Sequence, residues 1–353
     1  MIKGITTFGS DELLKNVKNL EPVFLCVIGT TETSKIENLS GAGASAELTE
    51  YTPAADVELM VHGKVLCTDV MAQTVVGEKA APTPAILTKA SLEIGNVPFV
   101  VIDSGSKIKP NVATMNFGRE YGRDIRTGKG VLNPLEIFEN GKELGQELDM
   151  RHDYLVIGES IAGGTTTALG VLKALGYDAD RKVSGSMPTN PHDLKLETVN
   201  EGLKNSGLDL ESGNIDAFQA IGAVGDPTIP AIAGLILGGT GPVILAGATQ
   251  MIATCAVVKA IQPDFDFSRI NLATTIYVAK DQTADLFDLA SQIDPNLTIH
   301  VVNPEFENSE DEGLQLYLDG FVKEGAGAGG AMLLALLRGV ELEKLRKKIE
   351  SFC

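Results

Sequence analysis

Short runs of this chain are apolar on both faces and end in turn residues. Pro22 to Ile28 (PVFLCVI) ends at Gly29-Thr30-Thr31, and Pro98 to Ile102 (PFVVI) ends at Asp103-Ser104-Gly105. Tyr154 to Ile157 (YLVI) ends at Gly158-Glu159, and Pro242 to Leu245 (PVIL) ends at Ala246-Gly247. Leu272 to Val278 and Thr298 to Val302 have the same character. Runs of this kind are expected of parallel strands buried on both faces. Helical stretches separate them: 83–93, 133–150, 165–175, 194–204, 229–237 and 249–261. The alternation predicts an α/β fold, a three-layer, mostly parallel, doubly wound sheet with helices on both faces. In such sheets ligands bind beyond the carboxyl ends of the strands. The glycine-rich turns of this chain fall there.

The two ends of the chain read differently. Residues 10–20 carry an apolar stripe of Leu13, Leu14 and Val17, and residues 340–352 form a basic amphipathic helix with Leu342 and Leu345 on one side. The expected organisation is a large Rossmann-like domain over 22–320 and a small helical subdomain from 1–21 and 321–353. No internal repeat is present. The charge-rich stretch 133–150 reads as a solvated helix face.

Composition narrows the function classes. The chain has 353 residues, a net charge of −18 and a hydrophobic fraction of 44%. That balance excludes a nucleic-acid groove, which needs clustered Lys and Arg. It still allows a small anionic ligand, because backbone N–H groups bind phosphate without a basic surface. Cys26, Cys67, Cys255 and Cys353 lie far apart, which suits a reducing cytoplasm better than a disulfide framework. His62, His152, His192 and His300 are equally scattered, so no metal site is expected. No membrane span is expected, because the apolar runs are broken by Gly, Pro or charge. The start, Met1-Ile2-Lys3-Gly4-Ile5-Thr6, lacks the pattern of a signal peptide. A cytoplasmic protein is the expectation.

Candidate chemistry lies in four segments. Lys323-Glu324-Gly325-Ala326-Gly327-Ala328-Gly329-Gly330 opens the apolar stretch Ala331 to Leu337, so one carboxylate stands at the mouth of a glycine run before a helix. Glycine allows close backbone approach, and a helix start offers unpaired N–H groups. Glu324 could equally be a charge that favours the helix dipole. Its run matches G-x-G-x-x-G through Gly325, Gly327 and Gly330 but comes too late to start a dinucleotide fold. Gly158-Glu159-Ser160-Ile161-Ala162-Gly163-Gly164-Thr165-Thr166-Thr167 joins a strand to a helix and suits a phosphate, or a plain turn with a Thr cap. The stretch 220–227, with Gly222 and Gly225, reads as a small-residue loop before a helix, or as close helix packing. Leu245-Ala246-Gly247-Ala248-Thr249 is a third strand-turn-helix.

Taken together, these residues resemble the nicotinate-nucleotide:dimethylbenzimidazole phosphoribosyltransferases of cobalamin nucleotide-loop assembly, in a divergent archaeal form. The box G-E-G-T-G-A, whose Glu is the family's general base, is similar to Lys323 to Ala328, with Ala326 in place of Thr. The loop G-E-M-G-I-x-N-T-T resembles Gly158 to Thr166, with Gly164 in place of Asn. G-G-x-E-I-A-A-M-A-G resembles Gly222 to Gly234, although its acid is missing and Gly225-Asp226-Pro227 lies nearby. P-V-x-x-D-G-F resembles Pro242 to Ala248, and V-D-x-G resembles Ile102-Asp103-Ser104-Gly105. Ser184-Gly185-Ser186-Met187-Pro188-Thr189 stands where the family has a glycine-rich phosphate segment. The likeness is colinear from about residue 80 to the end. Leu39 to Ala44 and Tyr51 to Asp56 have no clear counterpart, in a part that helps the family hold its base.

The resemblance implies transfer of phosphoribose from nicotinate mononucleotide to an aromatic base, without a cofactor, by a homodimer. It assigns Glu324 as the general base and Glu159 as a second carboxylate near the ribose or the attacking base. Gly163, Gly164, Thr165, Thr166, Gly185 and Ser186 would hold the phosphate. Gly222, Gly225, Asp103, Gly247, Gly325 and Gly327 would complete the binding site. Two other readings stand beside it: another enzyme using a nucleotide or methyl donor on the same sheet, and a non-catalytic nucleotide-binding protein.

Overall fold

The computed structural model describes residues 2–70 and 73–353; Met1, the first residue of the expected terminal subdomain, lies outside them. The strands are β1 (Ile5–Phe8), β2 (Pro22–Gly29), β3 (Gln73–Val76), β4 (Lys79–Pro82), β5 (Phe99–Gly105), β6 (Met115–Asn116), β7 (Tyr154–Ser160), β8 (Val243–Ala246), β9 (Ile270–Thr275) and β10 (Thr298–Val302). The helices are α1 (Glu12–Val17), α2 (Thr52–His62), α3 (Ala85–Gly95), α4 (Pro134–Asp149), α5 (Gly164–Ala174), α6 (His192–Ser206), α7 (Ala217–Val224), α8 (Thr228–Gly238), α9 (Thr249–Ile261), α10 (Ile276–Ala279), α11 (Leu286–Ile293), α12 (Glu312–Gln315), α13 (Ala328–Leu337) and α14 (Leu342–Glu350).

One eight-stranded sheet runs in the order β1-β10-β9-β8-β7-β2-β5-β6, and a separate hairpin pairs β3 with β4. Within the large sheet only β1 is antiparallel, against β10. β2 shows why both faces are covered. Val23, Leu25 and Val27 enter one core cluster, while Phe24, Cys26 and Ile28 enter the other. A strand whose side chains alternate between two dry layers has no polar face to show. The first layer is built by α4 to α9 and α11, the second by α1 to α3, α13 and α14. The segments 2–21 and 321–353 meet on this second face, where Leu13, Leu333 and Leu345 share one core, while β1 closes the sheet edge.

Two sequence expectations change. The run Leu272 to Val278 is a strand only to Thr275. There the Thr275 N–H and hydroxyl turn to the loop before α13, and α10 takes over. The stretch 220–227 is no loop for most of its length: Asp216 accepts hydrogen bonds from the N–H groups of Phe218 and Gln219 and starts α7, which reaches Val224. Between β2 and α3, where the sequence reading placed no element, lie α2 and the β3–β4 hairpin.

Along the chain, β5 lies on one side of β2, whereas β7, β8, β9 and β10 run out on the other. The direction reverses at β2. The crevice of a doubly wound sheet opens beyond the carboxyl ends at such a reversal.

Candidate active site

A cleft opens at the ends of β7, β8 and β9. Eight of its lining residues were expected from sequence: Glu159, Gly163, Gly164, Thr165, Gly185, Ser186, Glu324 and Gly325. Its other wall comes from the 40–84 segment, including Leu48, Tyr51, Ala55, Asp56 and Pro84.

Glu324 is held by the loop that enters α13. Its Oε1 accepts hydrogen bonds from the N–H groups of Gly325 and Gly329, both at 3.1 Å. Its Oε2 accepts from the Thr275 N–H at 3.1 Å and the Thr274 hydroxyl at 3.2 Å. Burial pushes its carboxyl up to about 7 against the pull of these donors. The loop needs left-handed backbone. Gly327 has φ +71°, and a Cβ there would stand 2.7 Å from Phe24 Cζ and 2.9 Å from Gly158 Cα. Only glycine lets α13 start this close to β2 and β7.

Glu159 leaves β7 one residue before its end. Burial pushes its carboxyl well above the ordinary range, and the charges of Glu324 and Asp226 act in the same direction. Its Oε2 has no hydrogen-bond partner among the described residues. Neighbouring Ser160 donates to Asp56 Oδ2 at 2.6 Å, and Thr83 donates to Asp56 Oδ1 at 2.7 Å. Asp56 is 3% exposed, and burial raises its carboxyl to about 6.

The opposite end of the cleft is suited to an anion. α5 starts after Gly163, which has φ +77°. The N–H groups of Gly164 and Thr165 have no acceptor among the described residues. Beside them Lys195 Nζ donates to the Thr165 hydroxyl at 3.0 Å and to the Ser184 carbonyl at 2.6 Å. Lys195 is 1% exposed; burial, reinforced by the Lys323 charge, lowers its ammonium to about 7. Below the cleft Asp226 accepts from Thr167, Thr228 and Gln250.

The remaining expected residues lie elsewhere. Gly247 borders the cleft, since a Cβ there would be 3.1 Å from Glu159 Oε2. Thr166 is buried in the first turn of α5. Gly327 packs on strand ends. Gly222 sits inside α7, facing Val131 and Pro134, and Gly225 caps that helix. Asp103 binds the N–H groups of Gly105 and Ser106 and pairs with Lys109, so it shapes the turn after β5. These three do not line the cleft, because α7 is a helix and Asp103 is spent on its own turn.

Asp56, Lys195 and Gln250 were missed. The available signal for Asp56 was one acid within the apolar stretch Pro53-Ala54-Ala55-Asp56-Val57. Lys195 sits in a helix rich in charge, and nothing local marks it as buried. Among the described residues, no group of three His, Cys, Asp or Glu side chains could hold a metal ion, and no helix is long and apolar enough to cross a membrane.

No family model matches the chain. Relatives do. A UPF0284 protein of Methanothermobacter thermautotrophicus is 53% identical over 353 residues, covering 100% of this chain and 98% of its own. UPF0284 proteins of Pyrococcus furiosus and Methanocaldococcus jannaschii are 40% and 38% identical, covering 94% and 98% of this chain and 98% and 97% of their own. Among solved structures, nicotinate-nucleotide-dimethylbenzimidazole phosphoribosyltransferase from Thermus thermophilus matches with a TM-score of 0.59 at 14% identity, over 94% of this chain and 86% of that one. CobT from the same organism gives 0.56 at 14% identity, over 92% and 83%. At that identity the likeness is one of fold. The chain therefore belongs to the UPF0284 family and has the three-layer α/β fold of those transferases.

Proposed function

We propose that this protein is a phosphoribosyltransferase that moves the 5-phosphoribosyl group of nicotinate mononucleotide onto an aromatic nitrogen base, giving an α-ribazole-phosphate-like product for the lower loop of a cobamide. One observation carries the reading. The same cleft joins a phosphate-sized set of unpaired N–H groups to an apolar wall that contains carboxyls of raised pKa.

The charges fit the reaction. The nicotinate ring is a cationic pyridinium bonded to the ribose anomeric carbon. When that bond breaks, its electron pair returns to the ring nitrogen, which leaves neutral and needs no strong acid. A ring nitrogen of the acceptor forms the new bond. The acceptor becomes cationic, and its other N–H turns acidic enough for a carboxylate to remove the proton. Such general base catalysis contributes roughly 10²–10⁴-fold, and alignment of the two rings supplies more.

Free lone pairs favour one carboxylate over the other as the proton acceptor. A carboxylate has about four acceptor positions. Glu324, given this role from sequence, fills them with four donors. Asp56 receives only two hydroxyls, from Thr83 and Ser160, and its carboxyl is half ionised near pH 6. We assign proton removal to Asp56, the anchoring of the α13 loop to Glu324, and a neutral, ribose-facing role to Glu159. The test is incubation with nicotinate mononucleotide and benzimidazole, purine or phenolic acceptors, with nicotinate and product followed by mass spectrometry. Absence of nicotinate release with every acceptor would refute the transferase reading and leave the non-catalytic one.

A further inference from the structure

Lys323 stands where the sequence box G-E-G-T-G-A has its first glycine, and it adopts a glycine's backbone. Its φ is +71°, and that of the preceding Val322 is +61°. Non-glycine residues in this region carry strain of ~1–3 kcal/mol each, and such strain persists where the surroundings enforce it. Lys323 is 3% exposed and its ammonium has three partners. They are the Asp281 carboxylate at 2.9 Å and the carbonyls of Gly185 at 3.0 Å and Met187 at 3.2 Å. The Val322 N–H donates to the Ser186 carbonyl at 2.9 Å.

Lys195 approaches the same loop through the Ser184 carbonyl. In a trans peptide the C=O of one residue and the N–H of the next point to opposite sides, and the described chain has no cis bond. Holding the Ser184 carbonyl therefore turns the Gly185 N–H away from Lys195. Holding the Gly185 carbonyl turns the Ser186 N–H away from Lys323. Ser184, Gly185 and Ser186 line the cleft, and neither of these N–H groups has an acceptor among the described residues.

We infer that Lys195 and Lys323 are positioning residues, two buried ammonium clamps that aim the Gly185 and Ser186 N–H groups at the 5′-phosphate, a role that rests on the nucleotide reading above. Both act chiefly through the loop they hold. Lys195, where protonated, adds its charge to the field at the anion. Asp281 neutralises Lys323, while no carboxylate among the described residues is within ion-pair distance of Lys195. Lys323 has a second effect. It precedes Glu324 directly, so the loop that seats the phosphate and the loop that starts α13 share one side chain.

The test is calorimetric binding of inorganic phosphate, ribose 5-phosphate, nicotinate mononucleotide and nicotinate riboside to the wild type, K195M, K323M and K323R. Hydrogen bonds to charged groups predict that K195M and K323M weaken the three phosphate-bearing probes by about 10- to 100-fold. The riboside should change less than about twofold, and K323R should recover most of the loss. Equal weakening of riboside and mononucleotide would overturn the clamp. So would unchanged phosphate binding in the variants, or no phosphate binding by the wild type. If K323M melts below the assay temperature, K195M and K323R decide the matter. A wild type that binds ribose 5-phosphate but releases no nicotinate would refute the transferase reading and leave the clamp standing.

Discussion

The two ends of the cleft are built by different means. The anion end uses the backbone: the first turn of α5 and the 184–187 loop, at or beside strand ends of the parallel sheet. The acceptor end uses side chains from the 40–84 segment: Tyr51, Ala55 and Asp56, with Thr83 and Pro84 at its edge. A phosphate is the same in every nucleotide, and backbone N–H groups recognise it whatever the side chains are. An aromatic acceptor differs by ring substituents, which only side chains can tell apart. In the proposed reaction the fixed half would lie on the sheet and the variable half on the 40–84 segment.

The sharpest way to break this comparison is to move the proton acceptor. D56N preserves size and one carbonyl oxygen, and its amide can donate to the Ser160 hydroxyl. At pH 4, where the wild-type carboxyl is protonated, it should melt with little change, and at the assay pH it should lose turnover by roughly 10²–10⁴-fold, the contribution of a general base. E324Q should behave in the opposite way. Its amide nitrogen would face N–H donors, leaving buried groups unpaired at ~1–3 kcal/mol each. Melting temperature and turnover should then fall together. If E324Q instead melts normally and is inactive while D56N remains active, the two roles are reversed.

A second variant tests the anchoring of α13 to the sheet. G327A introduces a Cβ against Phe24 and Gly158 at a φ of +71°. Strain and overpacking act together there, so a loss of ~3–4 kcal/mol in urea unfolding is expected. A loss below ~1 kcal/mol would mean that the loop relaxes freely and that its left-handed path is not required.

What was readable in the sequence follows the same division. The buried strands, the turn at Gly163-Gly164-Thr165 and the acid at Glu324 all carry local signals, because strand burial and helix starts are written in neighbouring residues. The roles of Asp56 and Lys195 are not. Asp56 meets Ser160 only because α2 is laid across the end of β7, and Lys195 meets the Ser184 carbonyl only because α6 presses it under that loop. Those contacts span 104 and 11 residues of chain. Gly222 and Gly225 misled for the opposite reason: small residues that pack helices closely look like small residues that make room for a ligand.

Stability against pH distinguishes the two ends at a smaller scale. Asp56 has its carboxyl at about 6 in the folded protein against an ordinary 3.8. The folded state therefore binds the proton more tightly than the unfolded one between these values. By linkage the contribution is complete below about pH 4 and is lost as pH rises through about 6. The difference corresponds to ~3 kcal/mol. Glu324, at about 7, acts in the same direction. Urea unfolding of the wild type and D56N at pH 4 and pH 8 isolates the Asp56 share: the fall between the two should be smaller in D56N by up to ~3 kcal/mol. Equal falls would mean that Asp56 is hydrated in solution, and its assignment as a buried base would lose its support.

The smallest expected effect concerns the rim of the acceptor wall. The Thr74 hydroxyl in β3 donates to the Gly41 carbonyl at 2.6 Å and ties the β3–β4 hairpin to the loop before α2. T74V keeps the shape and removes the donor, so the Gly41 carbonyl keeps only the Gly43 N–H and the tie to the hairpin weakens by ~1 kcal/mol. If the 40–84 segment sees only the acceptor, this loss should raise KM for the aromatic base several-fold and leave KM for nicotinate mononucleotide within about twofold. Equal increases in both would show that the hairpin also shapes the nucleotide end, and the division between a backbone half and a side-chain half would no longer hold.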